Sequence, residues 1–409
     1  MVDDATDTNW DGSREKAGWL WLPVFVVSLV VFAFLTQLLL GSGYSNPSAG
    51  RLLDALSAGG PAESLGRVYP VIPYLFSRGF SEFPPIAASA PYFADCLAAA
   101  ALVALAYARL RASGCRYIMA AVLIIALVAN PMFLFAATGG SGLAWALLLA
   151  YVFAVGVMAL GRERYLRGGL LVGLAYTGVL LSSPLGIYIL LISAPILVLA
   201  SRQQIMAVFP PSIYVALAVL PLAVLAILIG AHQALTGEMG IFLESMAGNP
   251  NLTREGVALE PWPFLMANSP VAVAGVVLAG LFICFPVLAL SLSGIFAGAN
   301  MLRATLIVAL VAVITGVVTT WLGVLSHPSL LWAFAIPPTL VALEHVRHGF
   351  GGRAMAVFAL LLGISGSWWL MGLHPNLNLT VWRAEIGTTF AEAMRGFPPP
   401  AEAASRTDR

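Results

Sequence analysis

The sequence predicts an all-α, polytopic membrane protein of about eleven transmembrane helices, and three observations carry that reading. Hydrophobic residues fill 60% of the 409 positions and charged residues only 10%, a balance foreign to a water-soluble core. The apolar residues gather in runs close to the roughly 20 residues that a helix needs to cross about 30 Å of hydrocarbon, and a helix pairs its own backbone groups there. Twelve of the twenty Lys and Arg residues lie in the N-terminal tail and in five short loops that occupy every second gap between these runs.

In chain order the runs are 18–40, 86–108, 117–137, 143–160, 168–182, 185–200, 206–235, 270–297, 304–325, 329–346 and 354–372. Residues 1–17 carry Asp3, Asp4, Asp7 and Asp11 without apolar periodicity and read as a disordered tail. The transmembrane domain is 18–372, with long loops at 41–85 and 236–269, and a partly disordered tail occupies 373–409. The first run is too long for a cleaved leader and reads as a signal anchor. The pair 168–182 and 185–200 is short and flanks Ser183 and Pro184. Two crossings, or one broken re-entrant hairpin, both return the chain to the same side at Arg202.

The basic gaps hold Arg109, Arg111 and Arg116; Arg162, Arg164 and Arg167; Arg202; Arg303; and Arg347 with Arg353. Short basic loops stay in the cytoplasm, so the N-terminus is expected inside, and both long loops and the C-terminal tail outside. The formal charge is then +5 inside and −4 outside, within a net of +1. That near-neutral balance argues against a nucleic-acid partner, whose phosphates demand a concentrated basic surface. Arg outnumbers Lys nineteen to one in an Ala- and Gly-rich chain, the composition of a high-GC bacterial genome, which places the protein in a bacterial inner membrane. Cys96, Cys115 and Cys284 are scattered without metal-binding or redox spacing and read as apolar packing residues.

The loop 41–85 is patterned enough to fold. Leu52, Leu53 and Leu56 fall on one face of a short helix that Ser48 can cap and Gly59-Gly60 can end, with Arg51 and Asp54 toward the other face. A second short segment runs from Ala62 to Arg67, with Glu63 in its first turn. Tyr69-Pro70-Val71-Ile72-Pro73-Tyr74 follows, and its two prolines predict an extended or turn geometry. The loop 236–269 places Arg254 among Glu238, Glu244, Glu255 and Glu260, as an anion site or a solvated local pairing. His327 lies in a short outside turn, and Trp368-Trp369 read as an aromatic belt. Asp95 falls within the second span, where an acid serves either a proton or substrate or a helix-packing hydrogen bond. Glu344 is close enough to the inner end of its span to snorkel to water.

One stretch is more specific than hydropathy. It runs from Asn130-Pro131-Met132-Phe133 through Thr138-Gly139-Gly140-Ser141-Gly142, the basic loop at Arg162 to Arg167 and Gly169-Leu170-Leu171-Val172-Gly173, to Ser182-Ser183-Pro184-Leu185-Gly186. This order, preceded by a long first loop with a Tyr-Pro-Pro-like segment at Tyr69 to Pro73, resembles the GT-C class of polyprenyl-phosphate-sugar glycosyltransferases over residues 18 to about 200. The resemblance implies a GT-C-like helical bundle that moves a sugar from a polyprenyl-phosphate donor, drawn from the membrane lipids, to a lipid or polysaccharide acceptor outside the cell. It implies a carboxylate in the first outside loop that takes the acceptor proton or holds a divalent metal. Asp54 matches best, followed by Glu63 and Glu82. Arg67, Arg78 or Arg254 would meet the departing phosphate, and Tyr69, Tyr74, Asp95 and His327 complete the candidate substrate-binding set. The chain departs from the class in lacking an adjacent Asp-Glu pair after the first helix and in reading Ser182-Ser183-Pro184 at the helix break. Two further functions fit the same residues: a lipid or solute transporter or flippase built around Asp95 and the broken hairpin, and a non-catalytic subunit whose outside loops hold a membrane protein partner.

The orientation is checked by reporter fusions. Alkaline phosphatase fused after residue 372 is expected to be active and green fluorescent protein at the same point dark; the reverse pattern contradicts the assignment.

Overall fold

The computed structural model describes residues 21–57, 70–162, 164–183, 185–197, 210–237, 270–292, 306–311, 313–315, 317–318, 332–344, 346, 350–372 and 381–388. Among them the secondary structure is helical, in the order α1 (Trp21–Gly41), α2 (Pro47–Ser57), α3 (Val71–Ser81), a 3-10 turn (Ala87–Ser89), α4 (Ala90–Ala112), α5 (Tyr117–Val128), α6 (Pro131–Thr138), α7 (Leu143–Gly161), α8 (Tyr165–Ser182), α9 (Leu185–Leu197), α10 (Pro210–Thr236), α11 (Pro270–Cys284), α12 (Pro286–Leu292), α13 (Ile336–Glu344) and α14 (Phe350–Gly372). Five described helices are long and apolar enough to cross a membrane, or six if the bent pair α5 and α6 is one span. The protein is therefore membrane-embedded, and helical across its described elements. Ala218–Ala234 and Leu306–Thr315 add shorter apolar helices.

Burial separates centre from periphery. The apolar window of α7 is 83% buried and that of α1 only 17%. No charged residue interrupts α7, and its Ala, Gly and Leu faces meet neighbours all round. By contrast, α1 turns Val26, Val27, Val30 and Phe34 outward, as a lipid-facing helix does, and packs Phe32, Thr36 and Leu39 inward.

α7 and α8 pack antiparallel with their backbones close together. A Cβ on Gly156 would come within 2.8 Å of the Val172 side chain, and one on Gly178 within 2.6 Å of Leu149. Small residues at such crossings give the van der Waals contact that drives helix association in lipid. At Ser183 the backbone becomes extended and the chain turns back, because Tyr176 and Ser193 hydroxyls meet at 2.6 Å across α8 and α9. A hairpin accounts for that contact, whereas a continuous helix would hold the two residues about 25 Å apart.

The run 117–137, expected as one span, is two helices. α5 and α6 meet at 76°. Pro131 supplies no N–H and pushes the preceding residue out of the helical region, and Asn130 is extended at φ −66°, ψ 126°. Its Oδ1 accepts the Met132 N–H at 3.0 Å, capping α6. Its amide nitrogen donates to the Cys284 carbonyl at 3.2 Å and to Ser367 Oγ at 3.0 Å, so the break is anchored to α11 and α14. The run 270–297 is interrupted in the same way at Phe285, ahead of Pro286.

Glu344 does not snorkel. Its side chain is 4% exposed and forms a two-pronged ion pair with Arg109 of α4, Nε to Oε1 at 2.8 Å and Nη2 to Oε2 at 2.7 Å. The Tyr151 hydroxyl of α7 donates a further short hydrogen bond to Oε1. The pair thus joins α4, α7 and α13. Arg109, expected in the basic loop after the second span, lies in the last turn of α4, while Arg111 beside it lies over the Tyr117 ring at 3.3 Å.

Glu344→Gln should leave the Arg109 charge buried without its counterion and destabilise the protein by about 3–5 kcal/mol. The double change to Leu at both positions should recover most of that loss. Unfolding midpoints of the purified protein check both expectations, and an unchanged midpoint for Glu344→Gln contradicts the role given to the pair.

Candidate functional site

A cluster of polar groups gathers at the end where α2 and α3 lie, around the turn from Gly139 to Gly142 that joins α6 to α7. The sequence explains why the chain folds so at this point. Pro47 suits the first position of a helix, and the Asn46 Oδ1 accepts the Ser48 N–H at 2.9 Å, so Asn46, not Ser48, caps α2. The Asn46 amide nitrogen donates to the Gly139 carbonyl at 2.7 Å, and its backbone N–H donates to the Tyr92 hydroxyl at 2.8 Å. The Tyr44 hydroxyl points at the same Gly139 carbonyl from 3.5 Å. Burial pushes the Tyr44 phenol above its usual range, against the opposing pull of the Asn46 hydrogen bond, so Tyr44 stays a neutral donor.

Asp95 of α4, 1% exposed, accepts the Gly142 N–H at 3.0 Å. Its geometry is that of a cap for the N-terminus of α7, where a carboxylate also suits the helix dipole. The other oxygen, Oδ1, finds no hydrogen-bond partner among the described residues. From the C-terminal side, the Trp382 indole N–H donates to Thr138 Oγ1 at 3.0 Å. Trp382 also stacks on Trp368, with ring centroids 6.2 Å apart. Only Trp369 of the expected aromatic belt pair faces outward.

Over this turn lie two short helices. α3 begins immediately after Pro70, and Pro73 sits in its first turn, where a missing N–H leaves no helical bond unmade. The extended geometry expected for Tyr69 to Tyr74 is thus confined to Pro70 among the described residues. Leu52 and Leu56 of α2 pack on Tyr74 of α3. The α2–α3 pair leaves Asp54 exposed on α2. Arg78 on α3 reaches the Leu56 carbonyl at 3.4 Å and pairs with Glu82 at 3.4 Å. The guanidinium therefore sits at the last turn of α2, the turn that carries Asp54. Partial burial lowers the Arg51 guanidinium from its ordinary value, which leaves it charged at neutral pH.

Of the residues singled out from the sequence, the structure brings Asp54, Arg78 and Tyr74 onto this end of the bundle, with Tyr74 buried as a packing residue and its hydroxyl unpartnered among the described residues. Asp95 lies beneath them as the cap of α7. Glu63, Arg67, Tyr69, Arg254 and His327 fall outside the described residues. Among the described residues no three His, Cys, Asp or Glu side chains gather as a metal-ligand set, and this face offers single carboxylates. The parts that Asn46, Tyr92 and Trp382 play in this turn were not read from the sequence, although Tyr92 stood out there as an apolar-region residue with a polar tip. Asn46-Pro47 was the one local signal available, since Asn before Pro at a helix start marks a cap. The other two act only through partners about 46 and 244 residues away in the chain.

No protein family, curated protein or solved structure matches the chain.

Gly140 shows how tightly the turn is held. Its φ is +66°, and a Cβ would lie 2.6 Å from the Tyr92 ring. Gly140→Ala is expected to destabilise the protein by about 1–3 kcal/mol, whereas Gly79→Ala in α3, with open space around it, should be neutral or stabilising by up to about 1 kcal/mol. Melting of the two variants side by side checks the contrast; equal midpoints contradict it.

Proposed function

We propose that this chain is an inner-membrane, GT-C-like glycosyltransferase. On this reading it moves a sugar from a polyprenyl-phosphate donor to a lipid or polysaccharide acceptor on the extracytoplasmic side, with its N-terminus in the cytoplasm. The observation that carries the reading is the folded first loop: α2 and α3 form a two-helix cap on one end of the bundle and hold an exposed carboxylate, Asp54, on the helical turn that Arg78 touches. A flat, unstructured loop would give a lipid-linked substrate nothing to dock against.

The chemistry assigns each group a step. The Asp54 carboxylate takes the proton of the acceptor hydroxyl, whose oxygen attacks the anomeric carbon. The bond from that carbon to the phosphate oxygen breaks, and its electron pair leaves with the phosphate. Arg78 stabilises the charge that collects there. The apolar flank of the cap, including exposed Leu75, Phe76 and Phe83, suits contact with the polyprenyl chain at the membrane surface.

A second reading, a transporter, is favoured by one observation: the span broken at Asn130 and the Arg109–Glu344 pair both lie inside the apolar bundle, as broken helices and paired charges do along transport pathways. The two readings separate in one experiment. With the full-length protein in lipid and a polyprenyl-phosphate sugar as donor, Asp54→Asn is expected to lower transfer by at least about a hundredfold, the scale of a lost general base, with unchanged insertion and melting. Undiminished transfer by Asp54→Asn removes Asp54 from the mechanism, and substrate flux through the wild type in proteoliposomes without any transfer activity favours the transporter.

A further inference from the structure

Two buried polar atoms near the same end of the bundle have no hydrogen-bond partner among the described residues. Gly178 of α8 faces Leu149 of α7 across the helix crossing. One turn farther along α8 lies Ser182, and one turn back along α7 lies Trp145; residues four apart share a helix face, so the two oppose each other. Trp145 is 8% exposed and Ser182 2%. Neither the Trp145 indole N–H nor the Ser182 hydroxyl has a hydrogen-bond partner among the described residues, although buried polar groups are paired almost without exception. Ser182 leaves even its own helix carbonyls unused, a bond that Ser77, Thr138 and Thr177 all make in this protein.

The roof over this pair belongs to α3. The Phe76 ring stacks on Trp145 with centroids 4.2 Å apart and planes at 29°, and Val71 packs on Leu181 beside Ser182. Phe76 is itself 41% exposed, so one side of the ring faces away from the bundle.

We propose that Trp145 and Ser182 form a sugar-ring subsite, entered when Phe76 swings off the indole. The indole N–H only donates, whereas the serine hydroxyl both donates and accepts. A sugar hydroxyl completes both, its oxygen accepting from Trp145 and its proton passing into a hydrogen bond with Ser182. The indole face that Phe76 vacates matches the apolar C–H face of the ring. A phosphate fits less well, because neither Trp145 nor Ser182 carries a positive charge to balance it. The naming of the ligand as the donor's or acceptor's sugar rests on the transferase reading; the subsite itself does not need transfer to occur.

The test is saturation-transfer NMR on the full-length protein in lipid nanodiscs, with hexyl glucoside as a lipid-linked sugar, methyl glucoside as a free one and hexanol as the tail alone. Saturation of glucoside ring protons is expected in the wild type, and Trp145→Phe and Ser182→Ala should each weaken binding about fivefold, the loss of one hydrogen bond. A stronger response from hexyl than from methyl glucoside assigns the subsite to a lipid-linked sugar, and an equal response to a free one; both support it. Asp54→Asn should keep the ring-proton signal while losing transfer, so failure of the transferase reading leaves this result intact. Phe76→Ala should strengthen the signal by removing the roof. Ring-proton saturation no greater than in protein-free nanodiscs overturns the subsite, as do equal signals in the wild type and both variants. Ser182→Ala removes an unpaired hydroxyl and should melt no lower than the wild type, so it keeps the test open should Trp145→Phe fail to fold.

Discussion

The turn from Gly139 to Gly142 must pair its backbone groups inside an apolar bundle, where a lone carbonyl or N–H is expensive. Everything at this end of the protein is arranged to meet that demand. The Gly139 carbonyl takes the Asn46 amide, and the Gly142 N–H goes to Asp95. Asn46 can reach Gly139 only because it caps α2, and α2 begins there because Pro47 follows. Tyr92 closes the ring by accepting the Asn46 backbone N–H and by packing its ring against Gly140. One solvation problem thus fixes the exit of α1, the start of α2, the depth of α4 and the entry angle of α7.

From that fixed entry the remaining geometry follows. α7 descends through the centre of the bundle and sets the register of α8 through the close approaches at Gly156 and Gly178. That register brings Trp145 opposite Ser182, while α3, seated against the same turn by Pro73 and Gly142, lays Phe76 over them. Farther along α7, Tyr151 meets the Arg109–Glu344 pair, which locks α4 to α13. The two regions use different chemistry. Backbone groups and neutral side chains, with one carboxylate, build the turn; a bidentate ion pair builds the lock. Polar groups that bind only each other account for rigidity, and a substrate can act at exposed Asp54, at Arg78 on the surface beside Glu82, and at Trp145 and Ser182, which have no partner among the described residues.

Much of the architecture was legible in the sequence because apolar runs and turn residues act locally. The boundaries of α1, α4, α7 and α14 follow their hydropathy, and the leucine pattern at Leu52, Leu53 and Leu56 announced α2. The break at Asn130 was missed because a single Pro inside an apolar run is as compatible with a kinked span as with a 76° corner; the choice was made by Cys284 and Ser367, which the sequence places about 154 and 237 residues away. Glu344 was misread for the same reason. Nothing near it in the chain reveals that Arg109 arrives from another helix. Asp54 stood out as a lone acid on an amphipathic helix, whereas Trp145 looks like an ordinary residue of an apolar span and Ser182 like part of a helix break until the helix crossing sets them face to face.

The central claim is that the end of the bundle capped by α2 and α3 receives a lipid-linked sugar. A cryo-electron microscopy structure of the protein in nanodiscs with a polyprenyl-phosphate sugar addresses it most directly. The account predicts the sugar beneath a displaced Phe76 against Trp145 and Ser182, with the phosphate turned toward Arg78 and the reacting carbon within reach of Asp54. The same ligand bound beside Arg109 and Glu344, with Phe76 still stacked on Trp145, would contradict it.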